Sequence, residues 1–261
     1  MAPAPGPPLR TILALGLAGL LYGAYALVTP RRGSSGTSRG WTDASPADGG
    51  TLPPAPDPPR APDAGAPPAP PARVPERGPQ RILLFGDSMV PVLSPRLADY
   101  CLENGYTLFP VVWYGSTIIH WAKVDELDQL LVEIQPTLVI AVLGSSELLV
   151  REVVECEPFV RLIARKVGSR KLVWIGPPNW RDDTGVNAMI DGALGPGRFF
   201  RVDATPLEHG IDGIHPTDRG GAAWADAFAR WVRDESLTPI VLAPPSHSAP
   251  KVPARVISRH H

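Results

Sequence analysis

Three residue types, spaced far apart along the chain, could do chemistry together. Gly86-Asp87-Ser88-Met89 directly follows the apolar run 81–85, and Asp212-Gly213-Ile214-His215-Pro216 lies near the end of the same region. A serine hydroxyl is a weak nucleophile until an imidazole takes its proton and a carboxylate fixes the imidazole tautomer. A carboxylate three residues before a histidine can reach its Nδ1 within one turn, leaving Nε2 free to face a serine. Gly213 and Pro216 mark that stretch as a loop rather than a regular element. Ser88, His215 and Asp212 thus read as nucleophile, base and orienting carboxylate of an acyl-transfer site. Taken alone, Gly-Asp-Ser also suits an ordinary capped turn, and Asp212 with His215 an Asx turn. The strand ahead of Ser88 is what favours chemistry.

The elements that must position these residues alternate. Short apolar runs at 81–85, 107–113, 137–143, 171–175 and 199–202 read as strands covered on both faces. Helices are expected at 90–104, 122–134, 158–167, 183–193 and 217–233, the last with Ala223, Phe228 and Trp231 on one side and Asp218, Arg230 and Arg233 wet. Strand-helix alternation implies parallel strands with right-handed crossovers. The expectation is an α/β protein, a three-layer α/β/α sandwich with a five-stranded parallel sheet of flavodoxin-like topology. Functional groups gather at the carboxyl ends of such strands, and Ser88 falls there, beside a helix start whose free N–H groups favour a developing anion.

With that order of motifs, residues 81–233 resemble the SGNH, or GDSL-like, hydrolase superfamily, here as a membrane-anchored bacterial member. The family carries four blocks: Gly-Asp-Ser, a glycine after the second strand, Gly-x-Asn after the third, and Asp-x-x-His near the end. They match Gly86-Asp87-Ser88, Gly115, Gly144-Ser145-Ser146 and Asp212 with His215. The resemblance implies an SGNH hydrolase fold and an ester hydrolase without cofactor or metal. Its substrate would be a small acyl ester or O-acylated carbohydrate, with O-acetyl groups on envelope carbohydrate as the expected case. An O-acyltransferase using the same triad and a catalytically weak envelope-binding module on the same fold are the alternatives. The resemblance also assigns the oxyanion to the N–H groups of Ser88 and Gly115 and to a third donor, where Ser146 stands in place of asparagine. Losing one such donor costs on the order of a hundredfold in rate. Asn179 could reach the pocket instead, although a cap or turn role suits it better. Asp87, Trp113 and Trp180 are further substrate-contact candidates, the two indoles because aromatic faces stack on sugar rings and otherwise as core residues.

The rest of the chain bounds the setting. It has 261 residues, 33 of them Pro, and a formal net charge of -1. Fourteen prolines fall between Pro30 and Pro79 among Ala, Gly, Ser and Asp, so residues 29–80 cannot bury enough surface to offset chain entropy and read as a disordered linker. Ahead of it, residues 11–28 form an uncharged Leu- and Ala-rich run, long enough to span a bilayer. Residues 1–28 are therefore expected to be a transmembrane anchor that holds the domain on the outer face of a membrane, or a signal peptide, given Ala24-Tyr25-Ala26, whose cleavage would secrete it. Residues 236–261, with Pro and His and no sustained periodicity, are expected to be a disordered tail. The block 81–235 carries 15 Lys and Arg against 21 Asp and Glu, which excludes the basic face that nucleic acid needs. His120, His209, Cys101 and Cys156 lack metal-ligand spacing. The two cysteines could pair or stay as buried thiols, and the oligomeric state is not legible.

Overall fold

The computed structural model describes residues 78–202 and 207–258. All of them fall within the unit Pro67–His261. The apolar run 11–28 and nearly all of the linker lie outside the described residues. Among the described residues no helix is long and apolar enough to cross a membrane.

One sheet organises the domain. β1 (Arg81–Gly86), β2 (Thr107–Val112), β3 (Leu138–Val142), β4 (Lys171–Ile175), β5 (Phe199–Phe200) and β6 (Arg255–Val256) lie in the order β5-β4-β3-β1-β2-β6. Every pairing is parallel. Side chains alternate across the pleat, so each strand feeds two cores. Leu84, Ile140 and Val173 face a layer containing α1 (Val90–Glu103) and α6 (Asp218–Asp234). Phe85, Val139 and Trp174 face the opposite layer, built from α2 (Ile118–Lys123), α3 (Glu126–Ile134), α4 (Glu157–Val167) and α5 (Val186–Leu194). A parallel sheet covered on both faces accounts for the near absence of polar residues in the strands.

The α1 and α6 layer is fastened by specific contacts. Arg96 Nε donates to Asp226 Oδ1 at 2.8 Å, and the Tyr100 hydroxyl donates to the same oxygen at 3.0 Å. At Gly221 an added Cβ would lie 2.4 Å from the Val92 carbonyl oxygen, so the two helices touch backbone to side-chain-free backbone.

Three expectations need correction. The sheet has six strands, not five, because residues 236–258 are not a disordered tail. Ile240 and Leu242 are buried, and the chain then crosses α1 to pair β6 with β2, Val112 opposite Val256. Side chains of α1 and Asn104 hold the backbone of this strap: Asn104 bonds Ala243, Glu103 accepts from Ser246 N–H at 3.0 Å and Asp99 from Ala249 N–H at 2.7 Å. The single helix expected over 122–134 is two, since Val124 at φ -101°, ψ 159° is extended and breaks the run. α2 instead begins earlier, at a Thr117 cap that accepts the His120 N–H. Beyond β3, Ser146–Leu149 and Val153–Cys156 form 3₁₀ turns. Cys101 and Cys156 are buried free thiols, and burial pushes them up to about 12 and about 11.

Candidate active site

The first strand ends on a glycine for a steric reason. A Cβ at Gly86 would fall 1.9 Å from the Val142 carbonyl oxygen, so only glycine lets β1 and β3 stay paired to their last residue. The chain then turns sharply. Asp87 N–H still bonds the Val142 carbonyl, at 3.1 Å, and Val90 N–H returns to the Asp87 carbonyl at 3.1 Å. Asp87 Oδ1 accepts the Met89 N–H at 2.9 Å. This closed turn holds Ser88 at the mouth of β1, ahead of α1.

His215 reaches it from the other end of the domain. Residues 208–217 fold back on themselves, with Gly210 N–H bonded to the His215 carbonyl at 2.8 Å and Thr217 N–H to the Glu208 carbonyl at 2.8 Å. Thr217 then caps α6, its hydroxyl oxygen accepting the Gly220 N–H at 3.1 Å. Inside the loop Asp212 Oδ1 accepts the N–H groups of Ile214 and His215, at 2.9 and 3.0 Å, while Oδ2 lies 2.7 Å from His215 Nδ1. His215 Nε2 lies 2.8 Å from Ser88 Oγ. The His215 hydrogen bond and the two backbone amides hold the Asp212 carboxyl down to about 2, so it is ionised at neutral pH. An ionised carboxylate on Nδ1 fixes the tautomer that leaves Nε2 as an acceptor for the serine proton.

Gly115 stands just past β2, in a turn closed by Ser116 N–H to the Trp113 carbonyl at 3.1 Å, with φ +68°. Among the described residues neither the Ser88 nor the Gly115 N–H has a protein acceptor. Ser146 differs. Its hydroxyl donates to the Ser116 carbonyl at 3.1 Å, which ties the loop after β3 to the loop after β2 and commits the one hydrogen it could offer an oxyanion. The next residue, Glu147, makes a second stitch, its Oε1 accepting the Ile118 N–H at 2.7 Å.

The other substrate-contact candidates divide. Asp87 is 2% exposed and serves the turn beneath Ser88, so it is not open to substrate. Trp113 is also buried, stacked on His120 with ring centroids 5.2 Å apart and edge-on to Trp121 at 5.9 Å. Asn179 Oδ1 accepts from Asn187 Nδ2 at 3.0 Å, a tie between the loop after β4 and α5. Trp180 is half-buried and donates from Nε1 to Ser145 Oγ at 3.1 Å. Glu147 and Tyr114 belong to the site's surroundings and carry no motif of their own. An acidic residue straight after an all-apolar strand and two serines was the available sign for Glu147.

No family model and no curated protein matches this chain. Among solved structures it is similar to a family 3 carbohydrate esterase of Clostridium thermocellum, at 16% identity and a TM-score of 0.49, over 59% of this chain and 94% of that one. It is similar to an α/β hydrolase enzyme from the metagenome of Lake Arreo, Spain, at 16% identity and a TM-score of 0.46, over 58% and 94% of the two chains. A lipolytic protein of the G-D-S-L family from Veillonella parvula gives 14% identity and a TM-score of 0.42, over 57% and 96%. What the site can do is read from its own geometry.

Proposed function

We propose that this protein is a serine esterase of the SGNH type, and the observation that carries the reading is the unbroken relay Asp212–His215–Ser88. Ser88 Oγ attacks the acyl carbonyl carbon while its proton passes to His215 Nε2. The carbonyl oxygen becomes an oxyanion facing the Ser88 and Gly115 N–H groups. Collapse expels the alcohol, which leaves with the proton from His215, and an acyl group stays on Ser88. Water then repeats the attack through the same histidine and releases the acid. A sugar hydroxyl in place of that water would make the reaction an acyl transfer. O-acetyl esters on envelope carbohydrate are the substrates this reading favours. Residues 11–28 would anchor the domain on the outer face of a membrane, within reach of them.

Hydrolysis of p-nitrophenyl acetate by the full-length chain tests the relay. Ser88→Ala and His215→Ala are expected to lower kcat by about a thousandfold or more, and the two changes combined by no more than either alone, because the residues act as a unit. A folded wild-type protein that neither hydrolyses the ester nor labels at Ser88 with a fluorophosphonate would sink the proposal. The Ser146 hydroxyl, bound to Ser116 rather than open, favours a second reading, an envelope-binding module with weak catalysis. Labelling at Ser88 above a denatured control decides against it.

A further inference from the structure

A groove of about 790 Å³ lies between α1, the first turn of α6 and the strap, lined by none of Ser88, Asp212 and His215, and has no part in the steps above. Residues near the site in sequence line its near end: Pro91 in the first turn of α1, three residues after Ser88, Tyr114 directly before Gly115, and Asp218 at the start of α6, three residues after His215. From there the groove follows α1 from Pro91 to Asp99, about 12 Å of helix at 1.5 Å per residue. Its far wall is the strap, residues 248–254 and Val256, that pairs with β2. Cavities of roughly this size hold small ligands.

We propose that this groove is the alcohol-side subsite of the esterase, a proposal that rests on the serine esterase reading, and that it holds a sugar ring against Tyr114. His215 must hand its proton to the departing alkoxide, so the alcohol half of the ester lies on the side of His215 and α6. The groove borders α6 there, through Asp218 and Ala222. Tyr114, in the groove's wall, is 58% exposed, unlike the buried Trp113 and Trp121. Sugars present an apolar C–H face together with hydroxyls, and aromatic rings with polar neighbours suit both.

The polar part of the wall decides between a sugar and an acyl chain. Arg96 and Asp99 form an ion pair at 3.3 Å in the groove, with the Asp99 side chain 14% exposed. A hydrocarbon chain laid on that pair would strip its water and return no hydrogen bond, whereas hydroxyls replace what they displace. Pro95, inside α1, has no N–H for the Pro91 carbonyl one turn earlier, and both prolines line the groove. A hydroxyl can supply that donor. Ser94, Ser248 and Lys251 add further polar groups to the wall.

The test uses the full-length chain, partly O-acetylated cellotetraose, xylotetraose and chitotetraose as substrates, and the unacetylated oligosaccharides as binding probes. Tyr114→Ala is expected to lower the ratio of kcat/KM for the best oligosaccharide ester to that for p-nitrophenyl acetate by tenfold or more, through KM, and Tyr114→Phe to restore it. In the Ser88→Ala protein, one of the free oligosaccharides is expected to bind, and Tyr114→Ala added to it to weaken binding by a similar factor. An unchanged ratio with unchanged binding overturns the subsite. So does a preference for p-nitrophenyl octanoate over acetate that disappears in Tyr114→Ala, because it would make the groove an acyl pocket. A wild-type protein inactive on every ester removes the esterase reading, while oligosaccharide binding dependent on Tyr114 would still establish the sugar site.

Discussion

Asp87 and Glu147 are carboxyls placed where carboxylates are costly. Burial pushes both up to about 7, from ordinary values of 3.8 and 4.5, against the opposing pull of the Met89 and Ile118 amides. The Glu147 charge also raises the cost of ionising Asp87. Asp87 Oδ2 and Glu147 Oε2 are buried without a hydrogen-bond partner among the described residues. A carboxyl raised on folding binds its proton more tightly in the folded state, so its stabilising share is complete below about pH 4 and is lost as pH rises through about 7. Asp212, held down to about 2, has the opposite sign, but it is exposed and its share is lost only at far lower pH. The melting temperature is therefore expected to fall between about pH 5.5 and pH 8. Glu147→Gln, which keeps the acceptor for Ile118, is expected to flatten that fall, and differential scanning calorimetry across the range would show it. An equal slope in the variant would mean that the buried pair does not titrate as described.

At the scale of elements, the relay depends on how closely α6 lies on α1. Ser88 precedes one helix and His215 the other, so their 2.8 Å contact is set by a helix-helix crossing rather than by either loop alone. Gly221 permits that crossing, since a Cβ on it would stand 2.4 Å from the Val92 carbonyl oxygen, while one on Gly220 would stand 2.3 Å from that of Glu208 in the loop that carries His215. Backbone atoms cannot swing aside as a flexible side chain can. Gly221→Val is expected to destabilise by about 1–3 kcal/mol through overpacking. It is also expected to lower kcat by about a hundredfold, since displacing a catalytic group by about 1 Å has that effect. Gly192→Ala in α5 meets open space and is expected to stabilise by a few tenths to about 1 kcal/mol instead. Denaturant midpoints and ester turnover for the two variants would separate them.

For the molecule as a whole, the residues that proved legible were those whose patterns are local. Strands β1 to β4 read correctly because each is a short apolar run set off by a helical period. Ser88, Asp212 and His215 stood out because their loops carry their own signatures, and the parallel topology brings them to within hydrogen-bond reach. The strap was not legible, since it is held by Asp99, Glu103 and Asn104 reaching its backbone, and no periodicity announces such bonds. The burial of Asp87 and Trp113 and the engagement of Ser146 with Ser116 were equally invisible, being products of how separate loops meet. The strap has one more effect. Both outer strands, β5 and β6, are two residues long, and β6 lies close to Pro250 and Pro253. β2, by contrast, is six residues of mostly apolar chain, and among the described residues β6 covers its outer edge at Val111 and Val112. A long bare edge is a template for another copy of the same chain, and short, proline-flanked ones are not. Removal of residues 244–258 is therefore expected to promote self-association, seen as light scattering that rises more steeply with concentration than for the full-length chain.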